Sequence, residues 1–335
     1  MMREPIRIVT KNAIHSLSAA AALLGTLNAS DMRCSLRVIP SYTKSELDAL
    51  LHEEYPSFIL IDCTEEEFHA RLEARPVKFL SSSEVYSEAF ILSEKARDFA
   101  HIAVMGIIAA AHEKKMPIIM PDTLLQDALS TRMLAPEKED TIMDLSENFL
   151  QSLTVPFNGT KKKVIELAGM VTAAARMGKA TTAVAAMLND TAAQDKLFRI
   201  WGEYRRELDA ALTWCKQHEK ETHKYTGVSI IHLKDYVAPY LTGSIAAHIV
   251  AEAPQNTLVL VMAYAPDKRI RVSLRTAAQK DKSMMLLLRE IFEGINGECG
   301  GDAHAAGGNF ARTEEEMFLN NARKVLEKAF VEESV

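Results

Sequence analysis

The sequence predicts an α/β protein with a parallel β-sheet domain, a helical region and a smaller mixed α/β domain. Short apolar runs alternate with helical stretches over roughly the first 120 residues, which is the order that βαβ units produce. From about residue 140 the apolar residues recur with a helical period, and short strands return after residue 225. We therefore expect three segments, at residues 1–155, 156–224 and 225–335.

The predicted parallel strands are apolar runs at residues 6–10, 36–40, 57–62, 77–80 and 116–120. An alanine-rich helix over residues 16–27 is expected after the first strand. Because reactive loops of such sheets lie at the carboxyl ends of their strands, a site is expected just after Val9, Ile61 and Leu80, with the helix that ends near Ala111.

The middle of the chain is predicted to be wholly helical, with helices over residues 161–177, 181–188 and 191–220. Gly178 is expected to cap the first of these helices. One stripe of the last helix predicts a core-facing side, formed by Leu197, Trp201, Tyr204, Leu208, Leu212 and Cys215. The charged run 217–224 predicts a linker in which His218 and His223 are solvated.

In the C-terminal segment we expect strands at residues 228–233, 257–263 and 269–276, and helices at 242–252, 283–294 and 313–331. Thr313 and Glu316 have the spacing of a capping box at the start of the last helix. Between the last two helices lies a glycine-rich loop, residues 300–308. Adjacent glycines leave amide N–H groups uncovered, so a phosphate can come close; a tight turn is the alternative interpretation.

Composition and charge narrow the classes of function. The chain has 335 residues and a net charge of −6, which excludes a protein whose whole surface binds nucleic acid. Scattered cysteines suggest neither zinc nor disulfides, and no apolar run has the length of a membrane span, so we expect a reduced, cytoplasmic protein. Local basic patches could still contact nucleic acid; the alternative interpretation is that they are solvated surface charges. These patches contain Lys161, Lys162, Lys163, Arg205, Arg206, Lys268, Arg269, Arg271 and Arg275.

The glycine-rich loop resembles the signature of the DHH-associated domain, the C-terminal half of DHH-superfamily phosphoesterases such as RecJ exonucleases and oligoribonucleases. The matching residues are Gly300, Gly301, His304, Ala305, Ala306, Gly307 and Gly308. Residues 240–247 resemble a helix start of that domain, Ser273-Leu274-Arg275 a strand end, and residues 169–190 a helical region of the RecJ branch. The resemblance covers nearly the whole chain. It implies hydrolysis of phosphoesters with two divalent cations, usually manganese.

The positions that correspond to the family's metal ligands have largely changed. They are Lys11, Ala13 and His15 after the first strand, Asp62, the triplet Ser81, Ser82 and Ser83, and Ala109 or Ala110. Asp62 is an aspartate, as is the corresponding metal ligand of the family. The alternative interpretation is that Asp62 caps a following helix. The serines are interpreted as a turn and helix N-cap before Glu84. In the glycine-rich loop, Asp302 stands where the family has histidine.

The chain is thus similar to the inactive RecJ-like subunit of archaeal and eukaryotic replicative helicase assemblies. That resemblance implies a non-catalytic scaffold without a cofactor, with GINS-type and MCM-type replication proteins as partners. A groove between the domains is expected to hold single-stranded DNA. The predicted phosphate contacts are Lys11, Arg176, Lys179, Arg275, Gly300, Gly301, His304 and Gly307.

Two alternatives stay open. One is a phosphoesterase dependent on Mn²⁺ or Mg²⁺, acting as an exonuclease, an oligoribonuclease or an exopolyphosphatase-like enzyme. Its site would be rebuilt from Asp62, His15, His101 or His112. The other is a different binding module, for example a regulatory protein for a nucleotide ligand.

Overall fold

The computed structural model describes residues 5–39, 46, 49–50, 52–53, 55–63, 77–82, 84–86, 89, 93–114, 122–131, 133–136, 152–218, 223–225, 227–254, 257–276 and 283–332. The predicted strand at 116–120 lies outside these residues, as do Ser83 and the side chains of Ala110, His112 and His223. The contacts divide the chain into two compact units, residues 1–203 and 204–335. This division does not test the three predicted segments, which remain a prediction.

The first unit is built on a four-stranded parallel sheet, as predicted. Its strands are β1 (Ile6–Lys11), β2 (Cys34–Ile39), β3 (Ser57–Ile61) and β4 (Val77–Leu80), in the order β2-β1-β3-β4. The apolar side chains of the central strands β1 and β3 are buried apart from Ile6, because helices cover such a sheet, whereas those of β2 and β4 are mostly half-buried. The parallel pairing brings the residues after β1, β3 and β4 to one edge.

Two helices pack together in this unit, α1 (Ile14–Ala29) and α2 (Ala100–Lys114), and α3 (Asp122–Ser130) follows. A 3-10 turn over Glu94–Phe99 precedes α2. The small side chains of α1 let the helices approach closely. Among the described residues, no helix has the length and apolar character needed to span a bilayer.

A β-hairpin stands where the sequence was interpreted as wholly helical. Strands β6 (Leu153–Phe157) and β7 (Thr160–Lys163) pair antiparallel, and the short β5 (Ala135–Pro136) pairs with β6. The turn residues Asn158 and Gly159 have positive φ angles of 48° and 71°, as a two-residue type I′ turn requires. The helical prediction was wrong here because this turn, and not a helical period, sets the local structure.

Three helices follow the hairpin: α4 (Val164–Arg176), α5 (Ala180–Met187) and α6 (Thr191–Gln217). Gly178 ends α4 with a φ of 72°, and the N–H of Lys179 donates to the carbonyl of Ala174 at 2.7 Å, so the predicted cap is confirmed. In the predicted core-facing stripe of α6, the side chains of Leu197 and Tyr204 are buried and the others are half-buried.

The second unit contains a six-stranded mixed sheet in the order β12-β13-β11-β10-β9-β8. Its strands are β8 (His223–Tyr225), β9 (Val228–His232), β10 (Leu258–Tyr264), β11 (Arg269–Thr276), β12 (Gly297–Gly301) and β13 (Ala305–Ala311). Its helices are α7 (Thr242–Glu252), α8 (Met284–Ile291) and α9 (Glu315–Glu332). Helices α8 and α9 pack with one face of the sheet around Phe310 and Phe318, whose rings stack at 4.3 Å.

Three details of this unit differ from the prediction. The glycine-rich segment is a hairpin of β12 and β13, because β11 offers an edge to which β13 pairs. A 3-10 turn at Arg312–Glu314 precedes the last helix, and the N-cap of this turn is Ala311. Thr313 therefore lies inside the turn and does not cap the last helix. His218 is half-buried and stacks on Trp214 at 4.3 Å, since the two rings lie one helical turn apart on α6.

Replacing Gly106 of α2 by alanine is expected to lower the free energy of unfolding by about 1–3 kcal/mol, because added atoms in a packed core force side chains and backbone apart. A β-carbon there would lie 2.6 Å from Cβ of Ser18 on α1. Urea denaturation measures the change. Gly202→Ala in α6 is the matched control: its β-carbon meets no atom within 4 Å, so a gain of about 0.5–1 kcal/mol is expected. Equal effects at both positions would contradict the close packing of α1 on α2.

Candidate functional site

The side chain of Asp62 lies at the edge of the parallel sheet that the C-terminal ends of its strands form. It follows β3 with a φ of 58°, and its N–H donates to the carbonyl of Leu80 at 2.8 Å. Ser82 N–H donates to Oδ1 at 2.7 Å, and Ser16 Oγ, on α1, donates to Oδ2 at 2.5 Å. Nε2 of His15 lies 3.6 Å from Oδ2. Both carboxylate oxygens are therefore held by the protein itself.

The serines after β4 form a turn that is closed by Glu84. Both the hydroxyl and the backbone N–H of Ser81 donate to Oε2 of Glu84, at 2.6 and 2.9 Å. These bonds, the hydroxyl first, lower the pKa of Glu84. The spacing is that of a capping box, in which the acid reaches back to the first N–H of a helical turn. Ser81 and Ser82 thus have structural roles, and the helix that Asp62 was predicted to cap lies outside the described residues.

These residues do not fit the pair of divalent cations that the resemblance implies. Such cations need several carboxylate or imidazole ligands around a shared position. In the part of the chain that the structure describes, no three histidine, cysteine, aspartate or glutamate side chains converge. Lys11 ends β1 as a cation, Ala13 has no ligand atom, and Ala110 lies in α2.

His101, another proposed ligand, is a buried residue near the start of α2. Its side chain is 5% exposed. Burial lowers the pKa of His101 to about 4, and a hydrogen bond with the backbone of Asp98 opposes the shift only in part. The imidazole is neutral at pH 7 and behaves as a core residue.

Some of the predicted nucleic-acid contacts of the first unit lie on adjoining segments. Nδ2 of Asn12, directly after β1, donates to the carbonyl of Ala175 at 2.7 Å. This bond joins the segment that carries Lys11 to the end of α4, where Arg176 is half-buried and Lys179 is exposed. Sequence reasoning missed Asn12; an amide residue at a strand end was the available signal.

In the second unit, β11 separates an apolar face from a polar one. Ile270, Val272 and Leu274 point into the core of this unit. The alternate residues Arg269, Arg271, Ser273 and Arg275 lie on the other face, because side chains alternate along a strand. Helix α7 packs with this sheet so that a β-carbon built at Gly243 would lie 3.7 Å from Oγ of Ser273 and 3.9 Å from Nη2 of Arg275. The first turn of α7 and Arg275 are thus neighbours.

Glycines extend the polar face beyond Ser273. In the sheet register Ser273 is paired with Gly307, and Gly307 with Gly300. A β-carbon at Gly300 would meet no atom within 4 Å, and one at Gly307 would meet only the carbonyl oxygen of Val272, at 3.3 Å. Without side chains, this part of the face leaves the backbone open to a ligand that lies flat on the sheet.

The turn between β12 and β13 is fixed by Asp302. Its Oδ1 accepts the N–H groups of His304 at 2.9 Å and Ala305 at 3.0 Å. Gly301, with a φ of 151°, approaches the carbonyl of Ala305 so closely that a β-carbon would overlap it at 2.3 Å. His304 is half-buried. The carboxylate of Asp302 therefore stabilises the turn and stands near the glycines as a negative charge.

Comparison with known proteins identifies the fold. The sequence matches no protein-family model and no curated protein sequence. RecJ from Thermus thermophilus in complex with Mn²⁺ aligns with a TM-score of 0.69 and 17% identity over 97% of this chain and 52% of that chain. This chain thus spans about half the length of that RecJ. Another exonuclease RecJ, bound to manganese, aligns with a TM-score of 0.67 and 17% identity, covering 97% and 90% of the two chains.

CDC45 from Entamoeba histolytica aligns over 98% of this chain and 95% of its own length, with a TM-score of 0.61 and 9% identity. At such identities a likeness shows the fold alone. The chain has a RecJ-like DHH fold, with a parallel sheet, a small antiparallel sheet and a mixed sheet, so the predicted fold class is confirmed.

Replacing Asp62 by alanine is expected to lower the free energy of unfolding by about 2 kcal/mol, because Ser16 and the N–H of Ser82 lose their acceptor. Asp62→Asn keeps an acceptor and tolerates the positive φ, so a smaller loss is expected. Asp31 is the matched control: it has a φ of 57° and an exposed side chain. Asp31→Ala therefore measures the backbone cost alone. Equal losses for Asp31→Ala and Asp62→Ala would contradict the structural role.

The stability of the protein is expected to fall between pH 6.5 and pH 4 because of His101. Its pKa in the folded protein, about 4, is below the ordinary value of 6.5, so the unfolded chain binds the extra proton first. The full stabilisation is present above pH 6.5, and about 3 kcal/mol is lost on acidification to pH 4. Urea denaturation at several pH values measures this slope. His101→Leu should flatten it; an unchanged slope in this variant would contradict the burial argument.

Proposed function

We propose that this chain is a non-catalytic RecJ-like protein that binds single-stranded DNA and acts as a scaffold in a replication complex. The observation that carries the proposal is the position of Asp62. The carboxylate retained from the family's ligand set accepts hydrogen bonds from Ser16 and Ser82 on both of its oxygens.

The surroundings of Asp62 support the loss of catalysis. Serine hydroxyls and backbone amides are neutral groups, and hard cations bind them less well than carboxylates. Lys11 brings a positive charge to the end of β1, on the same edge of the sheet. A cation beside this edge opposes the binding of two further cations.

The polar face of the second unit supports DNA binding. Arg275 supplies a charge for a phosphate, and the N–H groups at the start of α7, next to it, favour an anion through the helix dipole. The uncovered backbone at Gly300 and Gly307 gives room for a sugar or a base. Phosphate contacts of this kind give binding that does not depend on sequence and weakens with salt.

The replication role is supported by the fold likeness to CDC45, a RecJ-like replication protein. We infer GINS-type and MCM-type proteins as partners, following the resemblance of the sequence to the inactive RecJ-like subunit of helicase assemblies. In this proposal the chain serves as a scaffold to which the replication proteins bind.

A second candidate function is a divalent-metal-dependent phosphoesterase. It is favoured by the approach of His15 to Asp62 at 3.6 Å and by the fold likeness to manganese-bound RecJ. Such a site would use Mn²⁺ or Mg²⁺ and would need further ligands besides this pair.

Two measurements test the proposal. In EDTA, fluorescence anisotropy with a labelled oligothymidylate should show binding that weakens steeply with salt. Arg275→Gln should weaken it and reduce the salt slope by about 0.7, the value for one phosphate contact on a single strand. Arg289→Gln, an exposed arginine on α8, is the control and should bind like the wild type. Affinity capture from an extract of the source cells should recover GINS-type or MCM-type proteins.

Other outcomes decide between the candidates. Release of mononucleotides that requires Mn²⁺ and is abolished by Asp62→Asn would establish the phosphoesterase and refute the non-catalytic proposal. Failure of the wild type to bind the single strand would refute the DNA-binding part. Capture without any replication protein would refute the scaffold part.

A further inference from the structure

The end of the C-terminal sheet opposite Arg275 carries a basic cavity that the proposed function does not use. An open cavity of about 720 Å³ lies where β10 turns into β11, within the size range of ligand sites. Its lining combines cationic, amide and hydroxyl side chains: Asp267, Lys268, Arg269, Asn296, Ala311, Arg312 and Thr313. Arg269 and Arg275 stand six residues apart on β11, so about 20 Å separates this cavity from the Arg275 site.

The carboxylate in this cavity is already engaged. Oδ1 of Asp267 accepts the backbone N–H of Arg269 at 3.1 Å, and Oδ2 lies 3.3 Å from Nη2 of Arg271. Lys268 is exposed, and Nε of Arg269 is buried without a hydrogen-bond partner among the described residues. The guanidinium carbon Cζ of Arg312 lies over the ring of Tyr264, 3.5 Å from its centre. The cations of the cavity therefore exceed its anions, which favours an anionic ligand.

A stack of aromatic rings lies at the same end of the sheet. Tyr236 follows β9 and is 67% exposed, although its ring stacks on Trp214 at 5.1 Å. Trp214 in turn stacks on His218 at 4.3 Å. The N–H of Tyr264 donates to the carbonyl of Lys234 at 3.0 Å, which joins the segment of Tyr236 to the ring that Arg312 covers. An exposed aromatic ring at the same end of the sheet as a basic cavity can pair stacking with charge.

Single-stranded nucleic acid is the ligand that uses both features. Its phosphates match the cavity, and its unpaired bases stack on aromatic side chains. An acidic peptide or an inorganic polyphosphate would use the charges but would leave the exposed ring of Tyr236 without a role. In addition, Arg269, Arg271 and Arg275 lie on the same face of β11, so the cavity and the Arg275 site are on one side of this strand.

We propose that this end of the sheet is a second contact site for single-stranded DNA or RNA, in which Lys268, Arg269 and Arg312 bind phosphates and Tyr236 stacks with a base. The inference rests on the proposed single-strand binding and extends it from the Arg275 face to the turn between β10 and β11. The site requires no metal ion.

The test uses the full chain, EDTA and anisotropy with a labelled oligothymidylate. Tyr236→Ala should weaken binding about 5-fold to 100-fold, the range for one stacked base, and Tyr236→Phe should bind like the wild type. Lys268→Asn with Arg312→Gln should reduce the salt slope by about 1.4, for two phosphate contacts. Asparagine suits the φ of 61° at Lys268. The matched control is Lys196→Gln with Lys324→Gln, two exposed lysines outside both sites. Urea denaturation verifies that each variant is folded.

The possible outcomes separate this site from the proposed function. If Arg275→Gln weakens binding but the Tyr236 and Lys268/Arg312 variants bind normally, the second site is refuted and the proposed function stands. If the charge variant loses affinity while Tyr236→Ala does not, and polyphosphate or an acidic peptide competes equally well, the site recognises anions without bases and the inference is wrong. If the wild type does not bind the strand, the inference falls with the DNA-binding proposal.

Discussion

Two hydrogen bonds to one carboxylate organise the carboxyl edge of the parallel sheet. Asp62 joins the start of α1, through Ser16, to the turn after β4, through Ser82. In a divalent metal centre carboxylate oxygens coordinate the cation; here each oxygen of Asp62 accepts a hydrogen bond from the protein. The role that the structure shows for Asp62 is therefore to link these two segments.

Much of the fold could be predicted because the apolar pattern and the strand-helix order are local signals. The bounds of α7 and β11 were predicted to the residue. The hairpin of β6 and β7 was missed although its Asn158-Gly159 pair is a strong turn signal, since the lysines and the helix beyond it dominated the interpretation. The strands β12 and β13 carry no strand signal, because glycine and alanine have low β-propensity and only pairing with β11 extends them.

The sequence predicted which residues belong to the candidate site, but it did not predict the contacts between them. The sequence indicates that Lys11, Arg275 and the glycines could bind phosphate, and whether they do remains a prediction. It could not indicate that Asn12 reaches the end of α4, or that Gly243 stands beside Arg275, since these contacts join residues far apart in the chain. The aromatic stack around Trp214 was also hidden, because its members come from α6 and from the segment after β9.

The glycines of β12 have a consequence for self-association. In the described part of the chain β12 is an edge of the six-stranded sheet, and such an edge can recruit a strand from another molecule. A long apolar edge would do so readily. Gly297, Gly300 and Gly301 offer a second copy no side chains to interlock with, and the carboxylate of Glu298 repels its own counterpart. The same lack of side chains that opens the face to a flat ligand also gives a second copy of the chain little to pack against at this edge.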